Sequence, residues 1–336
     1  MRPFYRVLPF RLLLLLSGLL LSGLLPGQTN VDGWRWLAPA DSLHHARFWG
    51  CAGGGALVYG AASVGLYQTW YKDHDLGPFH TFNDMREWQQ MDKLGHWLTA
   101  YTETRLVYGG ARWTGLNKRQ SLWTAAAVGT LLQATVEVMD GFSEKWGFSV
   151  GDITFNTLGV GAFVSQQALW NEQRIIFKLS GNMALPEERT INALDGTSTA
   201  SLLARHHELF GTSLAERWLK DYNTMTIWAS VNVRAFAPES RWPRWLNLAV
   251  GLGAANMYGG FENSWMDEAG NEFRLPDADF PRYRQFYLSP DIDLTRIPTH
   301  KRWLRTLFSV LNFIKIPAPA LEINGQGRVV FHPVYF

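Results

Sequence analysis

The sequence has 336 residues, 47% hydrophobic and only 18% charged, with 16 Trp and 31 Gly. A formal net charge of +2 is far too small to argue for a nucleic-acid surface, and the single cysteine, Cys51, excludes both an intramolecular disulfide and a cysteine-built zinc site. Little charge with much Trp and Gly leans toward a membrane or envelope protein.

Taken in chain order, Arg2, Arg6 and Arg11 precede LLLLLSGLLLSGLL, a basic segment followed by an apolar run. Residues 1–27 read as a secretory signal cleaved near Gly27, with an uncleaved anchor as the alternative. No cysteine follows the apolar run closely, and Cys51 is too far along for lipid attachment. The stretch FWGCAGGGALVYGAASVGLYQTWY, residues 48–71, carries no charge and exceeds the roughly 20 residues that a membrane helix needs. A buried Gly/Ala-rich helix of a soluble bundle is the other reading of it. Three further helices are expected over 92–113, 119–139 and 151–170, joined by the short links GLNKRQ and DGFSEKWGFSVG. Links of that length favour antiparallel neighbours, which gives a bundle of about four apolar helices over residues 43–172. Ser149, with Asp152 three residues later, resembles an N-cap pair opening the last of them.

From residue 173 the apolar period changes from helical to two. Ile175, Phe177 and Leu179 share a face, and Leu246, Leu248, Val250 and Leu252 alternate with Asn247, Ala249, Gly251 and Gly253. MTIWASVNVRAF, RQFYLSPDIDLTRI and the terminal RVVFHPVYF alternate in the same way. Residues 173–336 therefore read as a β-rich module of five to six antiparallel strands. One or two amphipathic helices accompany them, near 199–220 and in HKRWLRTLFSVLNFIK. The class is α+β. The alternation also suits an outer-membrane barrel, but bacterial barrels start at about eight strands, so a soluble or membrane-apposed sheet is preferred.

Polar residues gather at helix ends. Asp92, Lys93 and His96 open one helix, with Thr99 and Glu103 continuing the stripe. Gln133, Glu137 and Asp140 end the next, and Asp152 and Asn156 open the last. Spacings of three and four place each set on one helix face, and an antiparallel bundle brings the three ends together. Buried charges are paired or metal-bound. The group is therefore an ion-pair and hydrogen-bond lock, a divalent metal site, or a catalytic site. Asp92, His96, Glu137 and Asp152 would be the ligands of Mg, Mn or Zn, and His96 or Glu137 the general base.

DKLGH, then EVMD about forty residues on, then GFSVGDITFNTLGVG, resembles the YfiM-like predicted periplasmic lipoprotein family. The same set is similar to the broader VanZ-like group, whose members open with Asp-Lys-x-x-His and close with Asp-x-x-x-Asn-x-x-Gly. The matching positions are Asp92, Lys93, His96, Glu137, Asp140, Asp152, Asn156 and Gly159, within residues 45–170. The resemblance implies a helical envelope protein with a polar helix cluster and, for the VanZ-like group, a link to glycopeptide resistance. The missing lipobox cysteine departs from the family. The β-rich half resembles an extension found in longer YfiM-like members.

The leading reading is an exported cell-envelope protein with a structural or interaction role, associated with membrane lipid and an envelope protein partner, on the outer-membrane or periplasmic side. The alternative is a membrane-embedded, metal-assisted hydrolase or transferase acting on lipid or cell-wall precursors. Other motifs add nothing: GCAGGGALVYG lacks the GK[ST] of a phosphate loop, and no Gly-x-Ser-x-Gly elbow occurs. The adjacent pairs His44-His45 and His206-His207 read as solvated, since neighbours on a helix do not face one ligand. Trp242 and Trp245 flank Pro243 and read as sheet packing or an interfacial anchor.

Overall fold

Cap chemistry fixes the helices. The computed structural model describes residues 35–67 and 76–336, so the signal sequence and the end of the 48–71 stretch lie outside the described residues. Helix α1 is His45–Leu66, α2 Met91–Trp113, α3 Lys118–Gly141 and α4 Val150–Trp170. Asn117 starts α3 with a full capping box, its side chain accepting from the Gln120 amide while Gln120 reaches back. Ser149 starts α4 by accepting from the Asp152 amide at 3.0 Å, and its hydroxyl donates to Asp84 Oδ1 at 2.6 Å.

The buried seam of these helices is small or polar rather than aliphatic. On α3 the buried residues are Ser121, Ala125, Gly129, Gln133, Glu137 and Gly141, one stripe at a spacing of four. Small residues there let backbones approach: a Cβ on Gly129 would sit 2.4 Å from Thr104 Oγ1, and one on Gly159 would sit 2.3 Å from the Trp97 carbonyl oxygen. The apolar side chains point outward, Trp123 and Leu131 among them. The expectation of four apolar helices needs correcting. Among the described residues only α3 is long and apolar enough to cross a membrane, because polar and glycine positions dilute the other three.

The second half follows in alternation: β1 Ile175–Gly181, β2 Thr190–Asn192, β3 Thr199–Ser201, α5 Leu202–Phe210, α6 Leu214–Lys220, β4 Met225–Val231, α7 Val233–Phe236 and β5 Leu246–Ala255. Then come β6 Ser264–Met266, β7 Glu272–Arg274, β8 Tyr283–Ile292, α8 Arg302–Leu311, β9 Ala318–Asn324 and β10 Val329–Tyr335. Six strands form one antiparallel sheet in the order β1-β4-β5-β8-β9-β10, and two short ribbons, β2-β3 and β6-β7, stand apart. The class is α+β, helices followed by an antiparallel sheet, with two ribbons and more short helices than the alternation suggested.

The chain divides into two units. One takes the residues up to Asp84, His96–Arg174 and Leu294–Asn312; the other takes Met85–Gly95, Ile175–Asp293 and Phe313–Phe336. In the helical unit, Arg296 reaches Glu172 at 3.0 Å and Arg105 donates to the Ser309 carbonyl at 3.3 Å, which fixes α8 there.

In the sheet unit the covered face is the polar one. Lys178 and Asp291 are fully buried and paired at 2.8 Å, with the Ser230 hydroxyl donating to Asp291 at 2.6 Å and Asn247 donating to Ser230 at 2.9 Å. Glu322 accepts from Gln285, Asn324 and His332. Trp228, Ala249, Tyr287, Ala320 and Tyr335 fill the centre. Gly251 has a reason to be glycine, since a Cβ there would meet the Trp228 ring at 2.8 Å. Lys178 and Asp291 lie three strands apart, about 14 Å in a flat sheet, so the sheet curls around this interior. Thr226 and Tyr335, four strands apart, meet at 2.8 Å for the same reason.

Candidate functional site

His96 is the centre of the polar group in the helical unit. Its Nδ1 lies 3.4 Å from Glu137 Oε1 and 3.3 Å from Asn156 Oδ1, and its Nε2 lies 3.5 Å from Asp152 Oδ1. Asn156 in turn donates to Glu137 Oε1 at 3.2 Å. Three helices supply these atoms: α2 gives His96 near its start, α3 gives Glu137 in its last turn, and α4 gives Asp152 and Asn156 in its first two turns. Glu137 is fully buried, Asp152 and Asn156 nearly so. Asp152 stands in the first turn of α4, where the positive end of the helix dipole favours a carboxylate.

Helix α2 itself carries Asp92 one turn before His96, so helix continuity fixes its place beside the ring. One ligand atom each from Asp92, His96 and Asp152 lie within 4.8 Å of one another. Asp92 also accepts from the Tyr222 hydroxyl at 2.7 Å and pairs with Lys93 at 3.2 Å, the lysine being fully buried.

Two sequence-derived candidates stand elsewhere. Glu103 lies two turns further along α2 and accepts from Gln133 at 2.6 Å, tying α2 to α3. Asp140 gives its backbone carbonyl to the turn after α3, accepting from Ser143 and Gly147.

The two sides of the imidazole differ in what they offer. The Nε2 side has the carboxylate of Asp152, and hard oxygen donors with one imidazole suit Zn or Mn. The Nδ1 side has the Glu137–Asn156 pair, a carboxylate that can hold a ring N–H and fix the tautomer. Glu137 therefore lies on the Nδ1 side of the ring, opposite Asp152.

One buried pair has no counterpart in the sequence reading. His206, taken there as solvated, is 2% exposed, and its Nε2 lies 2.9 Å from Asp221 Oδ2. The signal was present: Leu202, His206 and Phe210 form the buried stripe of α5 at a spacing of four. Nearby, burial first and the Asp221 carboxylate second push the Tyr258 hydroxyl up to about 12.

Residues 81–167 match the model of a family described as "Predicted periplasmic lipoprotein (DUF2279)". The match spans α2, α3 and α4 with every residue around His96, and none of the sheet. No curated protein and no solved structure matches the chain. The helical segment thus carries the family likeness, and the protein is an exported component of the cell envelope.

Proposed function

We propose that the protein is a structural component of the cell envelope whose helices are clasped by a divalent cation bound at His96 Nε2, Asp152 and Asp92, with Glu137 and Asn156 holding the ring from behind. The observation that carries this reading is the oxygen on both sides of one imidazole: Glu137 and Asn156 face Nδ1, and Asp152 faces Nε2. A neutral imidazole donates from one nitrogen only, so the other would present its lone pair to a carboxylate. A cation on Nε2 removes that conflict and leaves Nδ1–H for Glu137. The shared pattern with the YfiM-like and VanZ-like proteins fits this reading, because Asp92, His96, Glu137 and Asp152 are among its matching positions. The hydrolase or transferase alternative would place a substrate beside the same residues, and the comparisons offer it no support.

Elemental analysis of the purified full-length protein tests the reading beside His96→Ala. Stoichiometric zinc or manganese in the wild type, absent from the variant, is the expected result. No metal in either, with the variant less stable, would make the cluster an ion-pair lock built on a protonated His96.

A further inference from the structure

The outward face of the main sheet is apolar, and the register makes it continuous. Leu248 stands opposite Pro290, Val250 opposite Leu288, and Leu252 opposite Phe286. Phe286 is next to Ile323 and Leu288 next to Leu321, and these in turn face Val329 and Phe331. Val250 is 50% exposed, Phe286 47%, Leu288 46% and Ile323 52%. On β5 no outward position from Leu246 to Leu252 carries a charge, and on β8 Arg284 alone does, at the strand's end.

A half-buried antiparallel sheet in water covers its apolar face and exposes its polar one. Here the arrangement is inverted: Lys178, Asp291, Glu322 and Asn247 are covered while the aliphatic residues face out. That is the polarity of a sheet whose outer solvent is hydrocarbon. The uncharged band, from Leu246 to Leu252 and from Phe286 to Ile292, is seven residues long, about 20 Å from end to end. Membrane strands present an apolar band of about 25 Å. Trp242 and Trp245, partly exposed, lie just before β5 at one end of the band, and the exposed Arg284 bounds it at the other. Trp and Arg at the edges of an uncharged apolar band are what the polar boundaries of a hydrocarbon layer select. Two copies packed face to face would account for the apolar band but not for the Trp pair at its end.

We propose that this face of β5, β8, β9 and β10 rests against the hydrocarbon of an envelope membrane, through Leu248, Val250, Phe286, Leu288, Leu321 and Ile323. Among the described residues β10 pairs with β9 alone, so the sheet is taken to lie on the lipid as an open one.

The test uses the full chain with Cys51→Ser and one new cysteine carrying an environment-sensitive fluorophore, at Val250→Cys, Leu288→Cys or, in the exposed β6-β7 turn, Glu268→Cys. Each protein is added to vesicles of phosphatidylethanolamine and phosphatidylglycerol whose acyl chains are brominated near their middle. The expected result is a blue shift and quenching at 250 and 288, with neither at 268. Unquenched labels at 250 and 288 that react freely with an aqueous maleimide would overturn the proposal. So would labels protected from it without quenching, with the protein sedimenting as a dimer, since a second copy would then cover the face. These sites are exposed, so the substitutions leave the interior intact; far-ultraviolet circular dichroism checks that each variant is folded.

Discussion

The ammonium of Lys178 lies 2.8 Å from Oδ2 of Asp291, and neither side chain has any exposed surface. The pair joins β1 to β8 across the curled sheet, and the Ile292 carbonyl accepts a second hydrogen bond from Lys178 at 2.7 Å. Removing one partner of such a pair leaves a buried charge with its compensation gone. Lys178→Met should cost about 3–5 kcal/mol, while the double variant Lys178→Met, Asp291→Leu should regain most of that loss. Urea unfolding of the two variants decides it. Equal losses in both would show that the pair is not coupled.

A second lysine makes the same interior sensitive to alkali. Burial holds Lys315 down to about 8 from its ordinary 10.5, with Lys178 adding to the effect and Asp291 opposing it. Between those values the unfolded chain binds a proton that the folded chain has released. Stability from this group therefore rises as pH climbs from about 8 to 10.5 and is lost again as pH falls through 8, with a full span of about 3 kcal/mol. Lys315→Met should flatten that rise. Denaturant midpoints at pH 7.5 and 10 for both proteins supply the measurement, and parallel curves would refute the assignment.

The helix clasp predicts a response to chelators. A ligand at a hundred times its dissociation constant stabilises the folded state by about 2.7 kcal/mol, so stripping the metal should lower the melting temperature of the wild type. His96→Ala should start low and not respond. Glu137→Gln should keep the metal but bind it about 10–100-fold more weakly, since the residue orients the ring rather than the ion. Metal retention after dialysis against graded chelator separates the two variants.

Two glycines on α4 should respond in opposite directions. Gly159 packs against the Trp97 carbonyl and Ala100, whereas a Cβ on Gly161 would meet nothing within 4 Å. Gly159→Ala should lose about 1–3 kcal/mol through overpacking. Gly161→Ala should gain up to about 1 kcal/mol from helix propensity. Thermal melts of the two proteins test the contact between α2 and α4 without touching a polar residue.

Much of this was legible in the residues. Asn117 and Ser149 announce helix starts through cap chemistry that needs no tertiary partner, and period-two alternation marks β1, β4, β5 and β8. The polar stripe through His96 stood out because charged residues at helical spacing in apolar surroundings require partners. What was hidden depends on distant contacts. Nothing near Asp92 points to the Tyr222 hydroxyl, which arrives from 130 residues away. Alternation in β5 gives two faces but not which is covered. The covered face is the one that carries Trp228 and Tyr287, with Gly251 leaving room for the Trp228 ring. His206 was missed because the adjacent histidine suggested a surface pair, while its neighbours four residues away on either side were the informative ones.

The interleaving of the two units has a consequence for how the protein is made. An exported chain passes through the membrane from its N-terminus, yet the helical unit includes Leu294–Asn312 and the sheet unit includes Met85–Gly95. The helical unit is therefore complete only once a segment after β8 has emerged, and the sheet unit draws on residues delivered before α2 has finished. Neither half has all its residues until the strands through β8 have crossed, so completion of both is a late event. A cut after residue 173 would separate each unit from a piece of itself.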